Sequence, residues 1–234
     1  DTVVAANGDR TQTVTNYNGN NSLHDKTVIF KGIDGRTRTT QVDQFGDGGW
    51  DLVETVEISD GTLFVAGQTL AVGASADRTK SFARNGVLTQ NTAVITSADG
   101  LTVTAFANLD GDGVWDQKTV TVTTPGASGS SVVSTATNGA GTALINKSEQ
   151  TTQTVVAGGV TTVTSTTKND INGDNVFDLT STQVVVGNAD RSQTDTTTQT
   201  SANGSLLGKS TATTSADHKT ITVVSDANGD SKTD

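Results

Sequence analysis

Apolar and polar residues alternate with a period of two along much of the chain. The segments Thr119–Thr123 (TVTVT) and Thr220–Val223 (TITV) show this most clearly, and no useful length of the chain has the period of an amphipathic helix. Asn-Gly and Asp-Gly pairs, such as Asn85-Gly86 and Asp99-Gly100, separate these segments. Two-residue hairpin turns favour such pairs because both central residues need a positive φ. The pattern therefore predicts an all-β chain of short antiparallel strands.

The turn signals recur in approximate register through four segments, which we interpret as repeats of four strands each. The predicted repeats are residues 1–51, 52–116, 117–178 and 179–234. Repeat 2 contains about fourteen extra residues between Gly61 and Ser75, which we expect to form an added hairpin. The Ser-, Gly- and Ala-rich segment Gly126–Gly141 is the most linker-like. Asp1 resembles the last residue of a repeat, so we expect the chain to be part of a longer array.

A nine-residue acidic segment closes each repeat, and we number these segments loops 1 to 4. Every copy has Gly at its fourth position and Asp at its fifth and ninth. Calcium takes about six to eight oxygen ligands, which alternate side chains and one carbonyl of a tight acidic turn can supply. The candidate ligands are Asp43, Asp47 and Asp51 in loop 1; Asn108, Asp110, Asp112, the Val114 carbonyl and Asp116 in loop 2; Asp170, Asn172, Asp174, the Val176 carbonyl and Asp178 in loop 3; and Asp226, Asn228, Asp230 and Asp234 in loop 4.

The four loops differ in ways that predict unequal affinities for Ca²⁺. Phe45 replaces the third ligand of loop 1, for which Glu54 is a candidate substitute, while Asn175 and Ser231 replace the sixth-position Gly of loops 3 and 4. The expected order of affinity is loop 2, loop 3, loop 4 and loop 1. The eighth position holds an aromatic residue in three loops and Thr233 in loop 4, and we expect the rings to pack beneath their loops. These aromatic residues are Trp50, Trp115 and Phe177.

Composition supports a thin sheet rather than a thick hydrophobic core. The chain has 45 Thr residues, 25 Gly, 4% aromatic residues and no Met or Cys, and Thr suits the exposed face of a pleated sheet. A net charge of −10 argues against binding to nucleic acid or to an acidic membrane surface. No segment approaches the ~20 apolar residues that span a bilayer. No nucleophile motif of the Gly-x-Ser-x-Gly type occurs, and we predict that the chain is not an enzyme.

The loops resemble those of FG-GAP propeller repeats and of thrombospondin type 3 repeats. Over nearly the full chain, including Asn16-Tyr17-Asn18-Gly19 and Ser97-Ala98-Asp99-Gly100, the repeats are similar to calcium-binding tandem repeats of very large secreted bacterial surface proteins, related in lifestyle to repeats-in-toxin adhesins. This resemblance implies a calcium-rigidified extracellular stalk, filament or adhesin. The implied partners are neighbouring repeats or subunits of the same protein, and surface glycans.

Together these features predict an elongated tandem array of four-stranded antiparallel meanders joined by calcium loops, with a β-propeller-like arrangement as the alternative fold. The predicted function is a calcium-stabilised structural segment of a bacterial cell-surface protein. The alternative function is a calcium-dependent module of propeller-like shape that binds a glycan or a protein.

Overall fold

The structure, a computed structural model, describes all 234 residues and contains 18 β-strands. In chain order the strands are β1 (Thr2–Val4), β2 (Arg10–Tyr17), β3 (Leu23–Lys31), β4 (Thr37–Asp43), β5 (Leu52–Ile58), β6 (Phe64–Val65), β7 (Gln68–Thr69), β8 (Ser75–Phe82), β9 (Leu88–Thr96), β10 (Thr102–Asn108), β11 (Gln117–Gly126), β12 (Gly129–Asn138), β13 (Leu144–Ala157), β14 (Val160–Asp170), β15 (Leu179–Gly187), β16 (Gln193–Ser201), β17 (Leu206–Thr214) and β18 (Ile221–Asp226). None of its secondary-structure elements is a helix of the length and apolarity needed to cross a bilayer.

Sixteen strands follow one another in chain order in one open sheet, and β6 and β7 form a separate two-stranded sheet. Neighbouring strands are antiparallel, as short turns between successive strands require. The predicted all-β meander is therefore confirmed. A propeller would divide into separate blades, but β4 pairs with β5 and β14 pairs with β15 across predicted repeat boundaries. The propeller-like alternative is wrong.

The chain divides into two compact units. Unit 1 comprises Asp1–Val120 and Thr137–Thr142, and unit 2 comprises Thr121–Ala136 and Ala143–Asp234. Loops 1 and 2 lie in unit 1, and loops 3 and 4 lie in unit 2.

The hydrophobic core of unit 1 lies beneath the residues inserted in repeat 2. These residues form the β6–β7 hairpin, whose turn residues Ala66 and Gly67 have φ values of 49° and 84°. The buried Ser59 hydroxyl donates a hydrogen bond to the Leu70 carbonyl at 2.9 Å and so anchors the hairpin. The hairpin packs on small and apolar side chains of three neighbouring strands. The buried cluster consists of Val65, Leu70, Ala74, Ala76, Ala93, Ile95 and Phe106.

Unit 2 has almost no hydrophobic core. Ala136 is its one fully buried apolar residue. Backbone hydrogen bonds between long strands hold the unit together, and hydroxyl pairs link neighbouring strands. The Thr152 and Ser165 hydroxyls are 3.3 Å apart, as are those of Thr196 and Thr211. Such cross-strand pairs stabilise a sheet modestly, by about 0.2–1 kcal/mol each.

The prediction of a linker at Gly126–Gly141 is wrong, because β12 occupies most of this segment. Its small residues meet close neighbours. The Thr121 hydroxyl donates to the Ser134 hydroxyl at 3.1 Å, and a Cβ atom on Gly129 would lie 2.7 Å from the carbonyl carbon of Thr152. Composition suggested flexibility here, whereas the small residues allow close approach of the backbones.

Candidate metal centres

Each acidic loop begins at the last residue of a strand. Asp43, Asn108, Asp170 and Asp226 end β4, β10, β14 and β18. The ladder of the sheet therefore fixes the first side chain of each loop. Asp43, Asn108 and Asp170 are only 1–2% exposed, and Asp226 is half-buried.

The first side chain binds the backbone amides of its own loop. In loop 3, Asp170 Oδ1 accepts a hydrogen bond from the Gly173 amide at 2.7 Å, and Oδ2 accepts one from the Asn175 amide at 2.9 Å. These donors are the fourth and sixth residues of the loop. Asp43 and Asp226 bind the amides at the same two positions, which are Gly46, Gly48, Gly229 and Ser231. The buried carboxylate thus holds the turn closed.

The ninth side chain closes the loop from its other end. Each of the four accepts a hydrogen bond through Oδ2 from the amide of the second residue, at 2.6–2.8 Å. These ninth residues are Asp51, Asp116, Asp178 and Asp234. Their Oδ1 atoms accept no hydrogen bond from the protein.

The third and fifth side chains form short turns within the loop. In loop 2, Asp110 Oδ1 accepts from the Asp112 amide at 3.1 Å, and Asp112 Oδ1 accepts from the Val114 amide at 2.7 Å. The corresponding residues Asn172 and Asp174 do the same in loop 3, where the side-chain Nδ2 of Asn172 also donates to Asp174 Oδ2. Asn228 and Asp230 do so in loop 4. In loop 2 each of the three carboxylates therefore retains one oxygen without a protein donor.

The fourth and sixth positions have positive φ in all four loops. The fourth-position glycines have values of 65–76°, and the sixth-position residues have values of 67–89°. Asn175 and Ser231 adopt this conformation without being glycine, at φ 67° each. Glycine at these positions therefore suits the backbone conformation that the loop adopts. This left-handed conformation is uncommon for residues other than glycine, and Asn adopts it more readily than Ser.

Loop 2 differs from the others at its buried first position. Asn108 Oδ1 accepts a hydrogen bond from the Gly111 amide at 2.7 Å, as an aspartate does. Its Nδ2 atom is buried and has no partner. In the other loops the second side-chain oxygen accepts from the sixth amide, but an NH₂ group cannot accept from Gly113.

The residue opposite the first position differs in the same loop. Lys26, Lys147 and Lys209 pair across the ladder with Asp43, Asp170 and Asp226. Asn91 pairs with Asn108. Three loops therefore have an Asp opposite a Lys, and one has an Asn opposite an Asn. The sequence pattern of the loops alone did not indicate this relationship, because the partners lie 17 to 23 residues apart.

The aromatic residues at the eighth position are partly buried and contact side chains of the neighbouring strands. The Lys26 ammonium lies 5.6 Å from the centre of the Trp50 ring, and the Lys147 ammonium lies 5.4 Å from that of Phe177. Trp115 instead packs on Phe106, with ring centres 5.5 Å apart.

Phe45, at the third position of loop 1, and Glu54, the candidate substitute ligand, both contact arginine side chains. The Phe45 ring lies under the Arg84 guanidinium, 4.1 Å from its central carbon. Glu54, the candidate substitute ligand, lies on β5 and forms an ion pair with Arg38 at 2.8 Å. The Val114 and Val176 side chains are exposed.

The candidate ligands of each loop are neighbours in space, but no three His, Asp or Glu side chains converge as a ready-made metal cluster. No protein-family model matches the chain, and no curated protein matches it.

Proposed function

We propose that the chain is a calcium-stabilised structural repeat segment of an extracellular bacterial surface protein, such as a stalk, a filament or an adhesin. The observation that supports this proposal is the repetition of one loop architecture after the last strand of each repeat. In loops 1 and 3 the acidic loop is the whole connection between paired strands of successive repeats, β4 to β5 and β14 to β15.

The donor atoms of loop 2 fit a hard cation. Asp110, Asp112 and Asp116 each direct one oxygen to a backbone amide and retain the other. With the Asn108 side-chain oxygen and the Val114 carbonyl, these residues would hold Ca²⁺, for which carboxylate, amide and carbonyl oxygens are the preferred ligands. When bound, the ion would neutralise carboxylates that otherwise repel one another.

Twelve of the 25 acidic residues lie in the four loops, so metal binding would act where the charge is concentrated. A ligand that binds only the folded state stabilises it by RT ln(1 + [L]/Kd), or roughly 2.7 kcal/mol per site at a hundredfold excess over Kd. Unit 2 buries one apolar residue fully, so contributions of this size matter to it. Millimolar extracellular calcium would stabilise the loops after export.

The alternative function is a calcium-dependent module of propeller-like shape that binds a glycan or a protein. The sheet is continuous between repeats, which does not support the propeller shape of that alternative.

Calorimetric titration with Ca²⁺ and thermal unfolding in calcium and in chelator test the proposal. We expect three to four ions to bind and the midpoint of unfolding to rise in calcium. Asp112→Ala should remove one site, whereas Asp99→Ala, which changes an acidic turn outside the loops, should leave the stoichiometry unchanged. No heat of binding, together with identical melting in calcium and chelator, would exclude the proposed function.

A further inference from the structure

Seven Asn-Gly pairs occur in the chain, and one of them lacks the hydrogen bonds that hold the other six. In an Asn-Gly pair the glycine nitrogen can attack the asparagine side chain, because glycine has no Cβ atom to hinder the approach. The reaction requires that the glycine amide and the asparagine carbonyl group are free to move together. The pairs begin at Asn7, Asn18, Asn85, Asn138, Asn172, Asn203 and Asn228.

The glycine amide donates a hydrogen bond in every pair except Asn18-Gly19. The acceptor is a backbone carbonyl at 2.8–2.9 Å in four pairs, and it is the first carboxylate of loop 3 or loop 4, at 2.6–2.7 Å, in two others. These bonds hold the nucleophilic nitrogen in place, whereas the Gly19 amide makes none. The bonded glycines are Gly8, Gly86, Gly139, Gly173, Gly204 and Gly229.

The asparagine carbonyl oxygen shows the same distinction. In five pairs Oδ1 accepts a hydrogen bond from the amide two residues further on, at 2.9–3.1 Å, which closes a small turn. Asn138 Oδ1 accepts one from the Thr142 amide at 2.8 Å. Asn18 Oδ1 accepts none, and its Nδ2 atom donates to the Ser22 hydroxyl at 2.9 Å and to the Leu23 carbonyl at 3.4 Å. Both reacting groups of Asn18-Gly19 are therefore free, and the bonded nitrogen is the one that the reaction expels.

We propose that Asn18 is a modification site, at which the folded chain converts asparagine to aspartate and isoaspartate through a cyclic imide. The Gly19 nitrogen loses its proton to water and attacks Asn18 Cγ. The Cγ–N bond forms, the Cγ–Nδ2 bond breaks, and Nδ2 takes up protons from water and leaves as ammonia. A second water molecule then opens the imide at either carbonyl. Water is the one co-reactant, and the modification goes beyond the structural role proposed above.

The modification would change the contacts beside loop 1. Each event replaces an amide by a carboxylate and so changes the formal charge from −10 to −11. A carboxylate cannot donate to the Leu23 carbonyl, against which loop 1 packs: a Cβ atom on Gly46 would lie 2.7 Å from the Leu23 carbonyl carbon. Isoaspartate also adds a methylene group to the backbone of this turn. The modified chain should therefore separate from the parent protein by charge and have a less stable turn beside loop 1.

The direct test incubates the folded full chain at mildly alkaline pH in water enriched in heavy oxygen, followed by peptide mapping with mass spectrometry. We expect the peptide that contains Asn18 to incorporate heavy oxygen and to yield both aspartate and isoaspartate. Its conversion should be at least several-fold faster than that of Asn85 and Asn203, which are exposed to the same degree class as Asn18. Equal rates, or faster conversion at either of the other two residues, would overturn the proposal.

A denatured sample separates the effect of the fold from that of the sequence. In concentrated guanidinium chloride all three pairs lose their hydrogen bonds, and we expect the three rates to converge. If Asn18 kept the same lead in denaturant, the neighbouring residues rather than the structure would determine its reactivity, and the inference would be wrong.

Two variants identify the attacking nitrogen. Gly19→Ala adds a methyl group beside this nitrogen and should slow conversion at Asn18 at least several-fold. The variant should fold, because a Cβ atom on Gly19 meets nothing within 4 Å and the residue does not have a positive φ. Tyr17→Phe, which changes an exposed neighbour outside the pair, should leave the rate unchanged. Unaltered conversion in Gly19→Ala, or a product without isoaspartate, would show direct hydrolysis of the side chain and would contradict the proposed cyclisation.

Discussion

Gly111 lies directly against the backbone of Leu88: a Cβ atom on Gly111 would be 2.7 Å from the Leu88 carbonyl carbon. The same contact occurs in every loop, between Gly46 and Leu23, Gly173 and Leu144, and Gly229 and Leu206, at 2.7–2.9 Å. Each loop therefore packs on the start of a strand in its own repeat. Where the register is defined, that strand has a bulge at the next residue, which is His24, Thr89 or Leu207.

Two substitutions in loop 2 separate the effect of this contact from the effect of backbone conformation. Gly113 also has positive φ, at 89°, but a Cβ atom there would meet nothing within 4 Å. Gly113→Ala should destabilise unit 1 by about 1–2 kcal/mol, the cost of a left-handed conformation for an L residue. Gly111→Ala should cost about 1–3 kcal/mol more, because the methyl group must displace the Leu88 backbone. Chemical unfolding of both variants measures the difference, and equal losses would show that the loop does not pack on Leu88.

The strands and loops could be predicted from sequence because their signals are local. Alternation, turn pairs and the acidic spacing all operate within about ten residues. The contacts around the loops could not be predicted from sequence, because they depend on the register between strands. The pairing of Lys26 with Asp43 is set by the register of the β3–β4 hairpin, and the spacing of acidic residues within the loop carries no information about that register.

The contact of Phe45 with Arg84 could not be predicted from the sequence either. It joins two turns that lie far apart in the sequence, in repeats 1 and 2 of unit 1. The absent core of unit 2 was easier to foresee, because a sequence rich in Thr and poor in large apolar residues has little to bury.

The Asn108 and Asn91 pair predicts an energetic coupling across the ladder. Asn108→Asp would supply an acceptor for the Gly113 amide, but it would also place a buried charge opposite a neutral residue. Asn91→Lys provides the partner that the other three loops have. In chelator, Asn108→Asp alone should destabilise the protein, and the double variant should recover about 0.2–1 kcal/mol relative to additivity.

A double-mutant cycle by chemical unfolding in chelator measures this coupling. Lys31→Met, which changes an exposed lysine on β3 that pairs with neither Asn91 nor Asn108, serves as a control for nonspecific effects of charge when combined with Asn108→Asp. Additive effects of the Asn91 and Asn108 substitutions would show that the ladder pair does not govern the charge of the loop.

Restoring the missing ligand of loop 1 should have only a limited effect unless Arg84 is changed as well. The Phe45 ring contacts the Arg84 guanidinium, so a carboxylate introduced by Phe45→Asp would pair with that cation. We expect Phe45→Asp to tighten calcium binding less than Phe45→Asp combined with Arg84→Gln. Calorimetry of the two variants and of Arg84→Gln alone decides the point. Equal affinities in the single and double variants would show that Arg84 does not compete for the new carboxylate.

The last prediction concerns Asp77, which lies outside the loops on β8. Burial, and then the nearby Glu54 carboxylate, raise the pKa of Asp77 above its ordinary value, while Arg38 acts in the opposite direction. Its Oδ1 atom is buried without a hydrogen-bond donor. A carboxyl group whose pKa is raised by folding favours the folded state fully only below the unfolded pKa of about 3.9. This stabilising contribution is lost as the pH rises through the folded pKa. At pH 7 the ionised Asp77 carboxylate therefore destabilises the folded state.

Asp77→Asn should therefore raise the melting temperature at pH 7 and have little effect at pH 3, where the natural carboxyl is already neutral. Asp99 provides a control of opposite sign, because the Ser97 hydroxyl and the Leu101 amide lower the pKa of its carboxyl. The stabilising contribution of Asp99 is present above the unfolded pKa and is lost as the pH falls through the folded pKa. Asp99→Asn should thus lower the melting temperature at pH 7. In acid, the melting temperature of this variant should be close to that of the parent protein. If Asp77→Asn were equally stabilising at both pH values, the cause would be a change in packing, since the charge of Asp77 is absent at the lower pH.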